Sequence, residues 1–366
     1  MKRILITIFF IFVLVVPNFL NAQGQTSGDK VFQAIVTEVV QEKNNSLPDG
    51  TQTTQQQLRL HGLDGEFKGK DVFYNGIGDV DVIKNNLYRK NDKVLVLASI
   101  DDKGNYFYYV TDYVRTTSVL YLGLIFLVIL FAVGGLKGIR SIVSLILSFS
   151  VIMWFIVPQI LDGADPVTVT IIGALLILLF IIYLTEGWTK EAHVGVVSIF
   201  ISLLFTVFLS WLFVNLAKLS GLATEETSFL IGLGVKAINF KGLLMAGIII
   251  GSLGVLDDVV IAQVETVNQL YKIDAKLSVS EAFSRAYKVG VSHISSMTNT
   301  LFLAYAGASL AILILFSSGQ SGYTTWSQAI NNEMLATEIV RTLAGSIGLI
   351  LAVPLSTFIA AYWLKK

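Results

Sequence analysis

Cysteine is absent from the chain, which rules out disulfides, thiolate catalysis and cysteine-ligated metal sites. Histidine is nearly so. His61, His193 and His293 lie far apart, with none of the close spacings that zinc sites use. No metal and no cofactor are therefore expected. Charge is scarce as well: 14% of the residues are charged, against about 25% in soluble domains. The formal net charge is zero, which speaks against nucleic acid as a partner. The scarcity is uneven. From Gln23 to Arg115 the text is polar, and from Ser118 onward it is a series of long apolar runs. Two parts are predicted, and the second dissolves in lipid instead of burying a core in water.

The N-terminus carries the marks of an export signal over residues 1–22. Lys2 and Arg3 form a basic start, residues 4–16 are apolar, and Pro17 precedes a cleavage-like Leu20-Asn21-Ala22. An uncleaved anchor is the other reading of such a length, and both export the next segment. Residues 23–115 then read as a small extracytoplasmic β-domain, a barrel or sandwich like an OB-fold. Apolar and polar positions alternate over residues 31–37 and 92–98, Tyr106 opens an aromatic run to Val110, and turn residues separate them at 48–50 and 101–105. The Gln/Thr tract 51–57 fits a hairpin tip or a loose loop. Asp79, Asp81, Asp101 and Asp102 are metal-ligating types, but acids in solvated turns explain them more simply. No catalytic constellation is visible, and a binding or scaffolding module is expected.

Residues 116–366 are predicted to form a polytopic α-helical membrane domain of about seven spans, near 118–136, 141–160, 167–185, 194–217, 242–264, 294–316 and 342–363. Each is long enough to cross about 30 Å of hydrocarbon at about 1.5 Å per residue. With the β-domain outside, the inner loops hold nine Lys/Arg and the outer loops three near helix ends, Lys218, Lys236 and Lys241. The positive-inside rule thus agrees with the exported domain and places the C-terminus in the cytoplasm. Residues 224–239 read as an interfacial or re-entrant helix, or else as an eighth span. The inner loop 265–292 reads as an amphipathic helix pair along the membrane surface, the second starting at Ser280 as N-cap.

Asp257 and Asp258 are the expensive feature, because they fall only about 6–8 Å from the middle of the fifth span. A charged Asp at a span centre costs about 2.5–3.5 kcal/mol on insertion scales. Gly247, Gly251, Gly254, Asp258, Ala262 and Glu265 recur at steps of three and four and share one helix stripe. That stripe is predicted to be a close packing face, with Asp257 about 80° to its side. The sixth span offers Ser292, His293, Ser296, Asn299 and Thr300 as a polar face. The expected arrangement is an acid–hydroxyl–amide cluster between spans five and six, with Asp257, Asp258 and Glu265 as a proton relay. A plainer reading shifts the span outward and leaves the acids at the interface.

The run Gly251-Ser-Leu-Gly-Val-Leu-Asp-Asp-Val-Val-Ile-Ala-Gln-Val-Glu265, the segment from Leu277 to Thr300 and the stretch Ala304-Tyr-Ala-Gly-Ala-Ser309 resemble the YibE/F-like family. Its members are multi-spanning bacterial membrane proteins without a well-established activity. The resemblance implies a multi-pass protein of the bacterial inner or plasma membrane. A more distant likeness, in spans five and six, is to resistance-nodulation-division exporters and proton-driven Sec accessory proteins. In those exporters paired Asp carry protons, so Asp257 and Asp258 stand at the matching positions. This chain departs from them in having about half the spans and no mid-membrane Lys; Arg341 lies near the outer end of the last span.

One function leads from these features and two others compete with it. The first is a non-enzymatic, proton-coupled transporter or energy transducer with an unspecified substrate, possible as a homo-oligomer that supplies a missing cation. The second is a scaffold or assembly factor whose β-domain binds an envelope component or exported polypeptide. The third, an intramembrane aspartyl protease, is disfavoured because adjacent carboxylates on one helix do not form a facing dyad.

Overall fold

The computed structural model describes residues 29–46, 52–77, 82–83, 87–101, 104–232, 238–318 and 325–365. The signal segment, the turn at 48–50 and Asp79, Asp81 and Asp102 lie outside the described residues. The chain divides into two units, Met1–Ala132 and Val133–Lys366.

The first unit holds an antiparallel sheet of β1 (Lys30–Ser46), β2 (Gln52–Gly62), β3 (Asp71–Asn75), β4 (Val82–Ile83), β5 (Lys93–Ile100) and β6 (Tyr106–Tyr113). The order is β3-β2-β1-β5-β6, with β4 also on β2. Register shifts near Val36 and Val39 let the long β1 bend, and the sheet curls into a half-barrel. Alternate residues point inward: Phe32, Ala34 and Val36 on β1 meet Val94, Val96 and Ala98 on β5. Phe67 stacks on Phe32 at 4.4 Å and closes one end.

Most of the Gln/Thr tract is neither a tip nor a loop. Gln52 onward is strand, and Thr53, Thr54, Gln55 and Gln56 are buried. The reason is polar satisfaction. Gln56 Oε1 accepts from the Tyr88 amide at 2.9 Å, while its Nε2 donates to the Tyr88 carbonyl at 3.0 Å and to Glu42 at 2.9 Å. A buried amide with its partners met is tolerated where an unmet one is not. Asp101 does serve its turn, accepting from the Asn105 amide at 2.7 Å.

Helices make up the rest. The run α1 spans Thr116–Leu161, passing through a wider π-type turn at Ile152–Ile156. Next come α2 (Pro166–Thr185), α3 (Lys190–Leu216), α4 (Glu225–Gly232), α5 (Phe240–Ile273), α6 (Val279–Ala308), α7 (Leu310–Ser317), α8 (Trp326–Ile330) and α9 (Glu333–Trp363). Side-chain caps start most of the long ones: Asp165 accepts from Thr168 N, Thr189 from Ala192 N, and Asn239 from Gly242 N. The second half of the 265–292 segment does not begin at Ser280. Ser278 is the N-cap, because Glu281 three residues on completes a capping box, whereas Phe283 would follow Ser280. The first half is simply the continuation of α5 to Ile273.

Among the described residues, five helices are long and apolar enough to cross a membrane: α1, α2, α3, α5 and α9. A sixth counts if α6 and α7, bent by 65° at Ser309, form one span. The expected loop at 137–140 is helical. The run breaks instead at Gly135, whose φ of 54° and ψ of −132° leave the helical region, a backbone that glycine adopts freely. Within 224–239 the described part is the short α4.

The second unit is built on α3, α5 and α9, which pack on one another. Their seam is made of small and hydroxyl residues. Ser198, Ser202, Thr206 and Ser210 recur every fourth residue of α3 and are all buried. Their hydroxyls largely satisfy themselves: Ser202, Thr206 and Ser210 each donate to the carbonyl four residues back. Small residues of this kind let helix backbones approach closely where no water is expelled. At the tightest point, a Cβ on Gly348 of α9 would lie 2.0 Å from Thr206 Oγ1. Cross-links between α5 and α9 gather at one end, where Thr357 donates to Gln263 at 2.9 Å and the Tyr271 hydroxyl to the Ala361 carbonyl at 2.7 Å. At the other end of α9, Glu333 accepts from the Ser220 hydroxyl at 2.8 Å and the Gly221 amide at 3.0 Å.

Gly348→Ala should therefore push α9 off α3 and lower thermal stability by about 1–3 kcal/mol, the usual range for overpacking. Adding Thr206→Ala removes the obstructing atoms and should recover most of the loss. Thermal melts of the purified protein test this, and equal melting of Gly348→Ala and the parent would refute the close seam.

Candidate functional site

The acidic pair sits on α5 among large apolar residues. Leu253, Leu256, Val259 and Val260 around it are buried and turn α5 toward its neighbours, because branched side chains bury more apolar area than glycines do. The glycine stripe consequently stays largely uncovered. Gly247 and Gly254 are exposed, and a Cβ added to either would have nothing within 4 Å; Gly251 alone of the three meets α6, through the Tyr305 hydroxyl. Among the described residues, then, only Gly251 of the three has a helix packed against it.

The polar face of α6 is not brought to the acids either. Ser292, His293, Ser296, Asn299 and Thr300 are all exposed. α6 packs instead through Ala282, Ala286 and Gly290, which are buried. Ile294 and Met297 join Val255 and Val259 of α5 in one apolar cluster. The contact between these helices combines this apolar cluster with Tyr305 against Gly251 and Gln263 against Gly290, and the acid–hydroxyl–amide cluster expected there does not form among the described residues.

What faces the acids is a cavity of about 850 Å³ walled by α1, α2, α3 and α5. Asp257, Asp258 and Glu265 all line it, so the three expected relay residues are brought together along one wall. Ser141, Ser144 and Ser148 line it from α1, Glu186 from the end of α2 and Glu191 from the start of α3. Lys137 is the cation of the lining. Leu145, Ile152, Ile177, Leu253 and Ile261 supply apolar wall.

Asp257 is the deeper of the pair: its Oδ1 is buried and has no hydrogen-bond partner, while Asp258 is exposed to the cavity. This reverses the emphasis expected from the stripe, which put Asp258 inward. Glu186 and Asp258 line the same cavity as Asp257. Ser144 Oγ is a second buried lining atom without a partner, on a residue only 3% exposed. Glu265 is occupied, accepting from Asn268 at 3.1 Å and from Gln269, with Lys272 at 3.9 Å. Arg341 is paired with Glu338 on α9 at 3.1 Å and is not part of this lining.

Among the described residues no group of three His, Asp or Glu converges as a metal shell. An unpartnered carboxylate in a largely apolar cavity can bind and release a proton or a cationic group; an ionised one there costs several kcal/mol unless something neutralises it. The lining serines at 141, 144 and 148 went unnoticed in the sequence, although their steps of three and four put them on one helix face.

The family described as YibE/F-like protein matches residues 122–366. No curated protein and no solved structure matches the chain.

The natural lack of cysteine makes the cavity directly testable. Single cysteines at Ser141 or Gly254 should react with a water-soluble maleimide about tenfold faster than cysteines at the buried Ser198 or Ser252, since thiolate reactivity follows exposure. Equal labelling of the four would refute a water-accessible cavity.

Proposed function

The chain belongs to the YibE/F-like family, and on that premise we propose that it is a proton-coupled membrane transporter or energy transducer that works through Asp257 and Asp258. The observation that carries this reading is the buried, unpartnered Asp257 Oδ1 in a cavity it shares with Asp258 and Glu265. Taking up a proton removes the charge and with it the burial penalty, so the occupied and empty pair favour different packings of the surrounding helices. The membrane domain crosses seven times in this reading. To the five long apolar helices it adds the bent pair α6–α7 and a division of α1 at Gly135. The charge asymmetry of the loops supports an outer β-domain and a cytoplasmic C-terminus.

A second reading, a scaffold whose β-domain holds an envelope component, draws on one feature. The edge strand β6 exposes Tyr106, Phe107 and Tyr109, and exposed aromatics on an edge that takes no further strand among the described residues suit a polypeptide partner. The two readings separate by deletion: loss of residues 23–115 would abolish a scaffold function, whereas the Asp pair would be dispensable for it.

In liposomes loaded with a pH-sensitive dye, the reconstituted protein should dissipate an imposed pH gradient. Asp257→Asn and Asp258→Asn should each slow that flux about tenfold, the loss expected when a proton-transfer group is removed. Undiminished flux in the double variant would sink the coupling.

A further inference from the structure

We propose that the same cavity is a binding site for an organic cation with an apolar body, of the substituted ammonium or phosphonium class, held by Asp257 and Asp258. This rests on the reading of the pair given above and adds the class of ligand.

Charge selects the sign. Glu186, Glu191, Asp257, Asp258 and Glu265 line the space against the single cation Lys137. Glu265 is engaged by its own helix through Asn268 and Gln269, so it adds to the negative field while the Asp pair and the two glutamates are the carboxylates open to a ligand. An anionic ligand would meet repulsion from every wall but one.

Volume and wall chemistry select the body. About 850 Å³ lies within the range of about 300–1,000 Å³ that small-molecule sites occupy, far more than a bare ion fills. The acidic groups do not converge as a metal shell among the described residues. Leu145, Ile152, Ile177 and Leu253 offer apolar surface beside the carboxylates. A ligand with charge at one point and hydrocarbon around it matches that division.

A second helix points the same way independently of the acids. Ser144 on α1 is 3% exposed, lines the cavity, and its hydroxyl has no partner. A buried polar group is ordinarily hydrogen-bonded, and this hydroxyl, able to donate or accept, is left open to a polar group that enters the space. The Asp257 carboxylate suits the positive end of either class through its charge, and an ammonium N–H can in addition donate to the serine oxygen.

If the pair also exchanges protons, each cation that binds releases one, and charge in the cavity is conserved. The test uses the full chain in detergent, with tetraphenylphosphonium as probe and the similarly shaped anion tetraphenylborate as control, read by titration calorimetry in buffers of differing ionisation enthalpy. Saturable phosphonium binding is expected, with none of the borate. Asp257→Asn/Asp258→Asn should weaken it by about tenfold or more, and Ser144→Leu, which fills the space, by a similar factor. Phosphonium uptake unchanged in both variants marks partition into detergent and overturns the site, as does equal binding of the borate by the parent protein. The phosphonium and borate titrations of the parent protein decide the matter even if a variant fails to fold: no saturable phosphonium binding, or borate bound equally, overturns the site. Binding without proton release upholds the cation site and removes the proton-exchange reading. Proton flux that depends on the pair, without phosphonium binding, does the reverse.

Discussion

The close approach of α3, α5 and α9 governs the second unit. In an apolar environment no expelled water drives helices together, so contact has to come from shape and from polar groups already satisfied. Ser202, Thr206 and Ser210 meet both conditions by donating to their own helix. Gly348 then admits Thr206 where any side chain would collide. Once this seam is set, the large residues of α5 have their neighbours, and the rotation of the helix is decided.

That rotation delivers the acids to the cavity. With Leu253, Leu256 and Val260 committed to the core cluster, Asp257 and Asp258 turn toward the serines of α1 and the glutamates that end α2 and begin α3. The site is therefore a by-product of apolar packing elsewhere. Its chemistry comes from the groups that packing leaves over: a carboxylate oxygen and a hydroxyl, both buried and both without protein partners.

Much of this was legible from residue order alone, and the exceptions have physical causes. Alternation marked β5, whose Val94, Val96 and Ala98 point inward, and long apolar runs marked the helices. The Asp pair stood out because isolated charge in such a run is expensive. Its surroundings did not. A stripe of small residues is compatible with packing, yet Gly247 and Gly254 stayed open because bulkier neighbours gained more by burial. The polar face of α6 was a real face, turned the wrong way for the acids. Polar Gln52–Gly62 hid as a strand, since nothing local announces that Gln56 will clamp the backbone of Tyr88, 32 residues later. Glu186 and Glu191 resembled ordinary loop charges until the helices they flank enclosed a common space.

The placement of the cross-links between α5 and α9 has a mechanical meaning. Thr357–Gln263 and Tyr271–Ala361 fasten the two helices beyond Pro354, while on the other side of that proline the seam presents Ser252 and Ser346 without partners. Proline removes one rung of the helix ladder and weakens it at that level. The two helices are thus riveted by side chains beyond the proline and joined short of it by close packing alone, with α9 anchored at its far end where Glu333 holds Ser220 and Gly221.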